Sequence, residues 1–175
     1  SGHAYGKSIR TVKTCVGAEH CRFGTQLAMD MGVKLEKMLF DMYAPHKVKL
    51  AVSGCPRNCA EAGIKDVGII GVDSGYELYI AGNGGIKTEV AQFLCKVKSD
   101  EEVMEFSGAF LQLYRLEGWY LERVGMDYVK GRIVEDEEGR KALYAALLDS
   151  LKDARDPWQP SREGDAIKQF EPISI

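Results

Sequence analysis

Little in this sequence suits a membrane, a nucleic acid or an oxidising compartment. No apolar run approaches the roughly 18 residues of a membrane-spanning helix. There is no block of lysine and arginine, and a formal net charge of −3 offers no attraction to phosphate backbones. The chain opens without an apolar leader. Its 5 cysteines in 175 residues are too few, and odd in number, for a disulfide-built secreted scaffold. Internal repeats and low-complexity stretches are also missing. The glycines of Gly82-Asn83-Gly84-Gly85 lack the spacing and the following helix of a dinucleotide fingerprint. These absences leave a cytoplasmic domain with no membrane and no nucleic-acid partner as the expectation. A content of 45% hydrophobic residues is enough for one substantial core.

What is present is concentrated in cysteine. Four of the five cysteines form two spaced pairs, Cys15-x5-Cys21 and Cys55-x3-Cys59, the second inside Ser53-Gly54-Cys55-Pro56-Arg57-Asn58-Cys59-Ala60-Glu61. Four thiolates are the usual complement of a cubane iron–sulfur cluster. Three other readings compete. A disulfide framework conflicts with the odd count. Structural zinc fits the x3 spacing better than the x5. Inert packed thiols sit poorly beside so many polar neighbours. Cys95 differs from the rest: it lies in the apolar run Val90-Ala91-Gln92-Phe93-Leu94-Cys95 and reads as a core thiol.

The pattern of elements predicts an α+β fold, a mixed sheet with flanking helices and a helical C-terminal half. The alternating, β-branched Ile9 to Thr14 reads as a strand that delivers Cys15 at its end. From about Gly24 to Tyr43, Leu27, Met31, Leu35, Met38, Leu39 and Met42 recur at helical spacing, and Pro45 stops that helix. At this spacing the methionines read as ordinary core. Val48 to Val52 predicts a short strand, and Asn58 to Ala62 a short helix with Cys59 near its positive end. Val67 to Val72 and Tyr76 to Ala81 flank Asp73-Ser74-Gly75 as a hairpin, and Gly82 to Gly85 follows as a loop. Ser99-Asp100-Glu101-Glu102 has the form of a capping box ahead of Val103, Phe106, Phe110 and Leu113, on a helix expected to run through Trp119-Tyr120-Leu121. A further helix is expected from Gly125 to the acidic run Glu135–Glu138. The last is expected from about Glu138 to Ala154, with Leu143, Ala146, Leu147, Leu148 and Leu151 on its apolar face. Residues 1–155 would form the domain and residues 156–175 an extended tail.

The cysteine spacing, C-x5-C, a long gap, then C-x3-C, resembles the cluster signature of the siroheme-dependent nitrite and sulfite reductases. The flanking stretches Arg10-Thr11-Val12-Lys13-Thr14-Cys15-Val16-Gly17, Ala44-Pro45-His46-Lys47, Cys59-Ala60-Glu61-Ala62, Ala81-Gly82-Asn83-Gly84-Gly85 and Phe170-Glu171-Pro172-Ile173 are similar to the C-terminal part of the large subunit of assimilatory NAD(P)H nitrite reductases. The segment between Tyr120 and Gly125 looks contracted beside that family. The resemblance implies the fold of the family's 4Fe-4S domain and a 4Fe-4S cluster on Cys15, Cys21, Cys55 and Cys59, with Cys59 also bridging to the siroheme iron. It implies a six-electron reduction of nitrite to ammonium, with an assimilatory sulfite reductase domain or a non-catalytic iron–sulfur or zinc module as alternatives.

Siroheme carboxylates call for cationic or N–H partners, and Arg10, Lys13, Arg22, Arg57, Asn58 and Asn83 are the candidates near the motifs. His20 beside Cys21 is more simply an exposed histidine than a proton donor. In the family, the anion-clamping cations lie in a preceding ferredoxin-like half-domain, FAD and NAD(P)H bind earlier still, and a small subunit completes the enzyme. The chain therefore reads as a fragment of a longer enzyme, unable by itself to turn over NAD(P)H.

Overall fold

The computed structural model describes residues 8–40, 42–119, 122–124 and 129–152. Parallel pairing at one edge of its sheet decides where the cysteine loops lie. Strand β1 (Lys13–Thr14) runs parallel to β2 (Leu50–Ser53), with Lys13 opposite Ala51, and β2 runs parallel to β3 (Val67–Val72). Strands β4 (Gly75–Ile80) and β7 (Gln92–Val97) continue antiparallel, giving a five-stranded mixed sheet in the order β1-β2-β3-β4-β7. Between them, β5 (Asn83–Gly84) and β6 (Thr88–Glu89) form a separate two-stranded ribbon where a plain loop was expected.

The helices are α1 (Gly17–His20), α2 (Ala28–Leu39), α3 (Asp100–Glu117), α4 (Val129–Val134) and α5 (Glu137–Lys152), with a 3₁₀ turn at Ala62–Ile64. One face of the sheet, with Leu50, Val52, Val67, Ile69, Leu78 and Leu94, meets Met31, Leu35 and Leu39 of α2 and Phe110, Leu113 and Tyr114 of α3 in a single core. The opposite face carries small residues. Ala51 and Ile70 lie under Ala60 and Ala62, and the 3₁₀ turn seats directly on Gly68, where a Cβ would stand 2.1 Å from the Ala62 carbonyl oxygen.

Several expectations hold. Val72 pairs with Gly75, so Asp73-Ser74 is a two-residue hairpin loop. Ser99 caps α3: its hydroxyl accepts from the Glu102 N–H, while the Glu102 carboxylate accepts from the Ser99 N–H. Met31 and Met42 are core residues, and so is Cys95 on β7.

Other boundaries shift for identifiable reasons. The strand expected from Ile9 is regular only at Lys13–Thr14; before it, Ile9 makes an isolated bridge to Val48. The first segment takes one residue more than its partner between these pairings, a bulge-like offset, and the Val12 N–H turns to the Glu36 carboxylate at 2.7 Å. Helix α2 starts at Ala28 rather than Gly24: Leu27 has a non-helical backbone (ψ 82°), and before it Thr25 and Gln26 are tied through their N–H groups to the Gly54 carbonyl. No helix spans Asn58 to Ala62. Asn58 (φ 56°) and Glu61 (φ 62°) are both left-handed, which blocks propagation of a right-handed turn, and Cys59 precedes the 3₁₀ turn. Helix α3 stops at Glu117, where the extended Gly118 donates its N–H to the Tyr114 carbonyl. On α5, Leu147 is buried and Leu143 and Leu151 pack on the core, but Ala146 and Leu148 face outward. Tyr120, Leu121, the start expected at Gly125, Ala154 and the tail 156–175 lie outside the described residues. Among the described residues no helix is long and apolar enough to cross a membrane.

Candidate metal centre

Parallel strands end on the same side of a sheet, and this brings the two cysteine pairs together. Cys15 follows β1 directly and donates its N–H to the Val52 carbonyl (3.2 Å); Cys55 follows β2 after Gly54 alone. The two loops then interlock at Gly54. Its N–H donates to the Cys15 sulfur at 3.1 Å. Its carbonyl accepts from the Thr25 N–H (2.8 Å), the Gln26 N–H (3.0 Å) and the Thr25 hydroxyl (2.9 Å). A Cβ at Gly54 would lie 2.8 Å from both the Gly17 Cα and the Gln26 carbonyl oxygen, so the segments touch backbone to backbone. Gly17 itself adopts φ +62°, where glycine is the natural choice. Helix α1 is a single turn, and Cys21 closes it by donating its N–H to the Gly17 carbonyl at 3.0 Å.

The Cys55–Cys59 loop is braced from beneath. The Ser53 hydroxyl accepts from the Ala60 N–H (3.2 Å) and donates to the Asn58 side-chain oxygen (3.3 Å), which also accepts from the Gly63 N–H (3.1 Å). Cys55 is buried, Cys15 and Cys21 are half-buried and Cys59 is exposed; all are free thiols. Among the described residues no three His, Cys, Asp or Glu side chains converge on a single ion. The Gly54 N–H aimed at sulfur is the kind of partner that stabilises ligating thiolates. Cys95 lies apart, opposite Leu78, and burial pushes its thiol up to about 11.

The cationic and amide candidates separate into two groups. Arg22 and Arg57, one from each cysteine loop, both lie over the Phe23 ring, at 4.4 and 3.9 Å from its centroid. Phe23 was not foreseen, because no spacing rule links it to Arg57. Asn58 is committed to the brace just described. Lys13 pairs with Glu61 at 2.9 Å, and Glu61 also meets Lys65 at 3.0 Å; the two ammonium groups hold its carboxyl down at about 2. His20 is exposed in α1.

Asn83 and Arg10 lie toward the far ends of the strands, roughly four residues or 13 Å from the cysteine edge. There the buried Asp66 carboxylate accepts from the Lys49 N–H (2.8 Å) and from Arg123 (2.7 Å), which also reaches Asn83 at 3.4 Å. Burial raises the Asp66 carboxyl above its ordinary range, outweighing the Arg123 charge. His46 borders the same cluster. Burial first, then Arg123 and Lys47, lower it to about 4, and its Nδ1 accepts the Lys47 N–H at 2.8 Å, as an unprotonated nitrogen must. This second cluster was missed in the sequence, since Asp66, His46 and Arg123 share no spacing that would flag them.

The fold is thus a mixed-sheet α+β domain in which two cysteine-bearing loops leave neighbouring parallel strands and interlock at Gly54. The chain belongs to the nitrite and sulphite reductase 4Fe-4S domain family, whose pattern matches residues 5–139. It is 51% identical to an NAD(P)H nitrite reductase of Bacillus subtilis over 91% of its own length and 20% of that protein's. It is 33% identical to an assimilatory-type sulfite reductase of Nitratidesulfovibrio vulgaris over 65% of its own length and 52% of that protein's. A crystal structure of dissimilatory sulfite reductase I shares the fold, with a TM-score of 0.60 at 13% identity over 99% of this chain and 57% of that one. The chain thus spans about a fifth of the nitrite reductase it matches. The family supports an iron–sulfur cluster for this domain.

Proposed function

We propose that this domain holds a 4Fe-4S cluster on Cys15, Cys21, Cys55 and Cys59, with Cys59 also reaching the iron of a siroheme, and that it serves the six-electron reduction of nitrite to ammonium in an NAD(P)H nitrite reductase. The observation that carries this reading is the interlock of the two cysteine loops at Gly54. When bound, the cluster and siroheme would supply one-electron carriage and an open iron position for the anion. The chain's own residues support that chemistry in distinct ways. Buried Cys55 would keep a bond to iron away from water, and the Gly54 N–H would offset charge on the Cys15 sulfur. Cys59 is the most exposed of the four residues, which suits it to meet a second metal. Arg22 and Arg57, one from each cysteine loop, meet over Phe23 with guanidinium groups suited to carboxylates. The far greater identity to a nitrite reductase than to a sulfite reductase favours nitrite as substrate. FAD, the NAD(P)H site, the ferredoxin-like half-domain and the small subunit belong to the rest of such an enzyme.

Anaerobic reconstitution tests the cluster. About four irons per chain are expected, with serine at Cys15, Cys21 or Cys55 lowering that number and Cys95→Ser leaving it intact. Zinc retained in place of iron, or full iron in the Cys55→Ser protein, would overturn the assignment. In the full-length enzyme, Cys59→Ser is expected to cost more siroheme than Cys15→Ser, and equal losses would remove the bridge. Nitrite against sulfite turnover by the same enzyme decides the substrate.

A further inference from the structure

Two cations on one aromatic ring form an arrangement that needs a reason. Arg22 directly follows Cys21, and Arg57 lies midway between Cys55 and Cys59. Both guanidiniums lie within 4.4 Å of the Phe23 centroid, so like charges from separate loops are held no more than about 8 Å apart, where they repel. Among the described residues, neither meets a carboxylate. Several other cations do pair with carboxylates: Lys13 and Lys65 with Glu61, Lys34 with Asp30 and Asp100, Arg123 with Asp66, Arg140 with Glu105. The negative face of the ring offsets part of the repulsion. What is left is a local positive field on the two cysteine-bearing loops, in a chain whose net charge is −3.

We infer that Phe23 is a positioning residue: it gathers Arg22 and Arg57 into a paired charge that favours the reduced, more negative state of the bound cluster. The inference rests on the cluster reading above. A cubane held by four thiolates is already anionic and takes one further electron from a low-potential donor with no bond made or broken. Its potential follows the net charge around it. Arg22 and Arg57 are exposed, so the effect is screened by salt, a dependence that packing alone does not produce.

The test is a dithionite titration of the reconstituted, siroheme-free protein, followed by the spectrum of the reduced cluster. Phe23→Leu and Arg57→Gln are expected to lower the ratio of reduced to oxidised cluster at a fixed potential about tenfold, equal to about 59 mV for one electron. Phe23→Tyr, which keeps the ring, is expected to match the parent, and added salt to shrink the differences. Parent potentials in fully loaded Phe23→Leu and Arg57→Gln would overturn the inference, as would a Phe23→Tyr shift equal to that of Phe23→Leu. Should Phe23→Leu fail to load, Arg57→Gln decides, because its exposed side chain leaves no cavity. Loss of iron from Arg57→Gln that Arg57→Lys restores supports the charge requirement, and loss from both refutes it. A parent protein that takes up no iron would instead defeat the cluster reading itself.

Discussion

Replacing Gly54 by alanine is the sharpest way to perturb this site without touching a cysteine. The new methyl would stand 2.8 Å from the Gly17 Cα and 2.8 Å from the Gln26 carbonyl oxygen. Both neighbours are backbone, so no rotamer change relieves the clash, and overpacking of this kind costs about 1–3 kcal/mol. Moving Gly54 away instead would strain four interactions: its N–H to the Cys15 sulfur and its carbonyl to Thr25 N, Thr25 Oγ1 and Gln26 N. At roughly 1 kcal/mol net per hydrogen bond, losing all four would cost about 4 kcal/mol, more than the clash, so that escape is closed. The expected loss is therefore about 2–3 kcal/mol. At this size of domain it lowers the melting temperature by about 2–4 °C per kcal/mol. Iron content after reconstitution is expected to fall as well, because the loops it separates carry Cys15 and Cys55. Denaturation of the apo-protein, with iron and sulfide assays of the reconstituted one, reads both effects. A Gly54→Ala protein with parent stability and about four irons would refute the claim that this contact joins the two halves of the site.

Three further outcomes follow from the rest of the structure. Arg123→Gln leaves the Asp66 carboxylate buried without its cation and is expected to cost about 3 kcal/mol in denaturant unfolding, whereas Arg123→Gln combined with Asp66→Asn should recover part of it. His46 is held at about 4 in the fold against 6.5 when unfolded, so the unfolded chain binds the extra proton between those values. Its stability contribution is then complete above pH 6.5 and lost as pH falls toward 4, and His46→Gln should flatten that part of a stability–pH profile. Cys95, pushed up to about 11 and buried, should resist alkylation at neutral pH in the folded apo-protein while Cys59 reacts; rapid labelling of Cys95 would show that the core opens there.

The parts of the fold legible in the chain are those set by neighbours in sequence. Asp73-Ser74 makes its hairpin and Ser99 with Glu102 makes its capping box from a few adjacent residues. Cys95 could be assigned to the core from the apolar run around it. The helix expected at Asn58 to Ala62 failed for the opposite reason. Left-handed Asn58 and Glu61 are held by Ser53, Gly63, Lys13 and Lys65, none of which a local pattern consults.

The candidate site divides in the same way. Cysteine number and spacing, and the chemistry that four thiolates invite, stand in the sequence, because ligand identity is a property of residue type. Only the tertiary structure decided that β1 and β2 run parallel and so release Cys15 and Cys55 at one edge. It also decided that Gly17 and Gly54 meet without side chains between them, and that Arg57 reaches the ring beside Arg22. Each of these depends on partners tens of residues apart, whose register is set by burial of a whole sheet face rather than by any short stretch of chain.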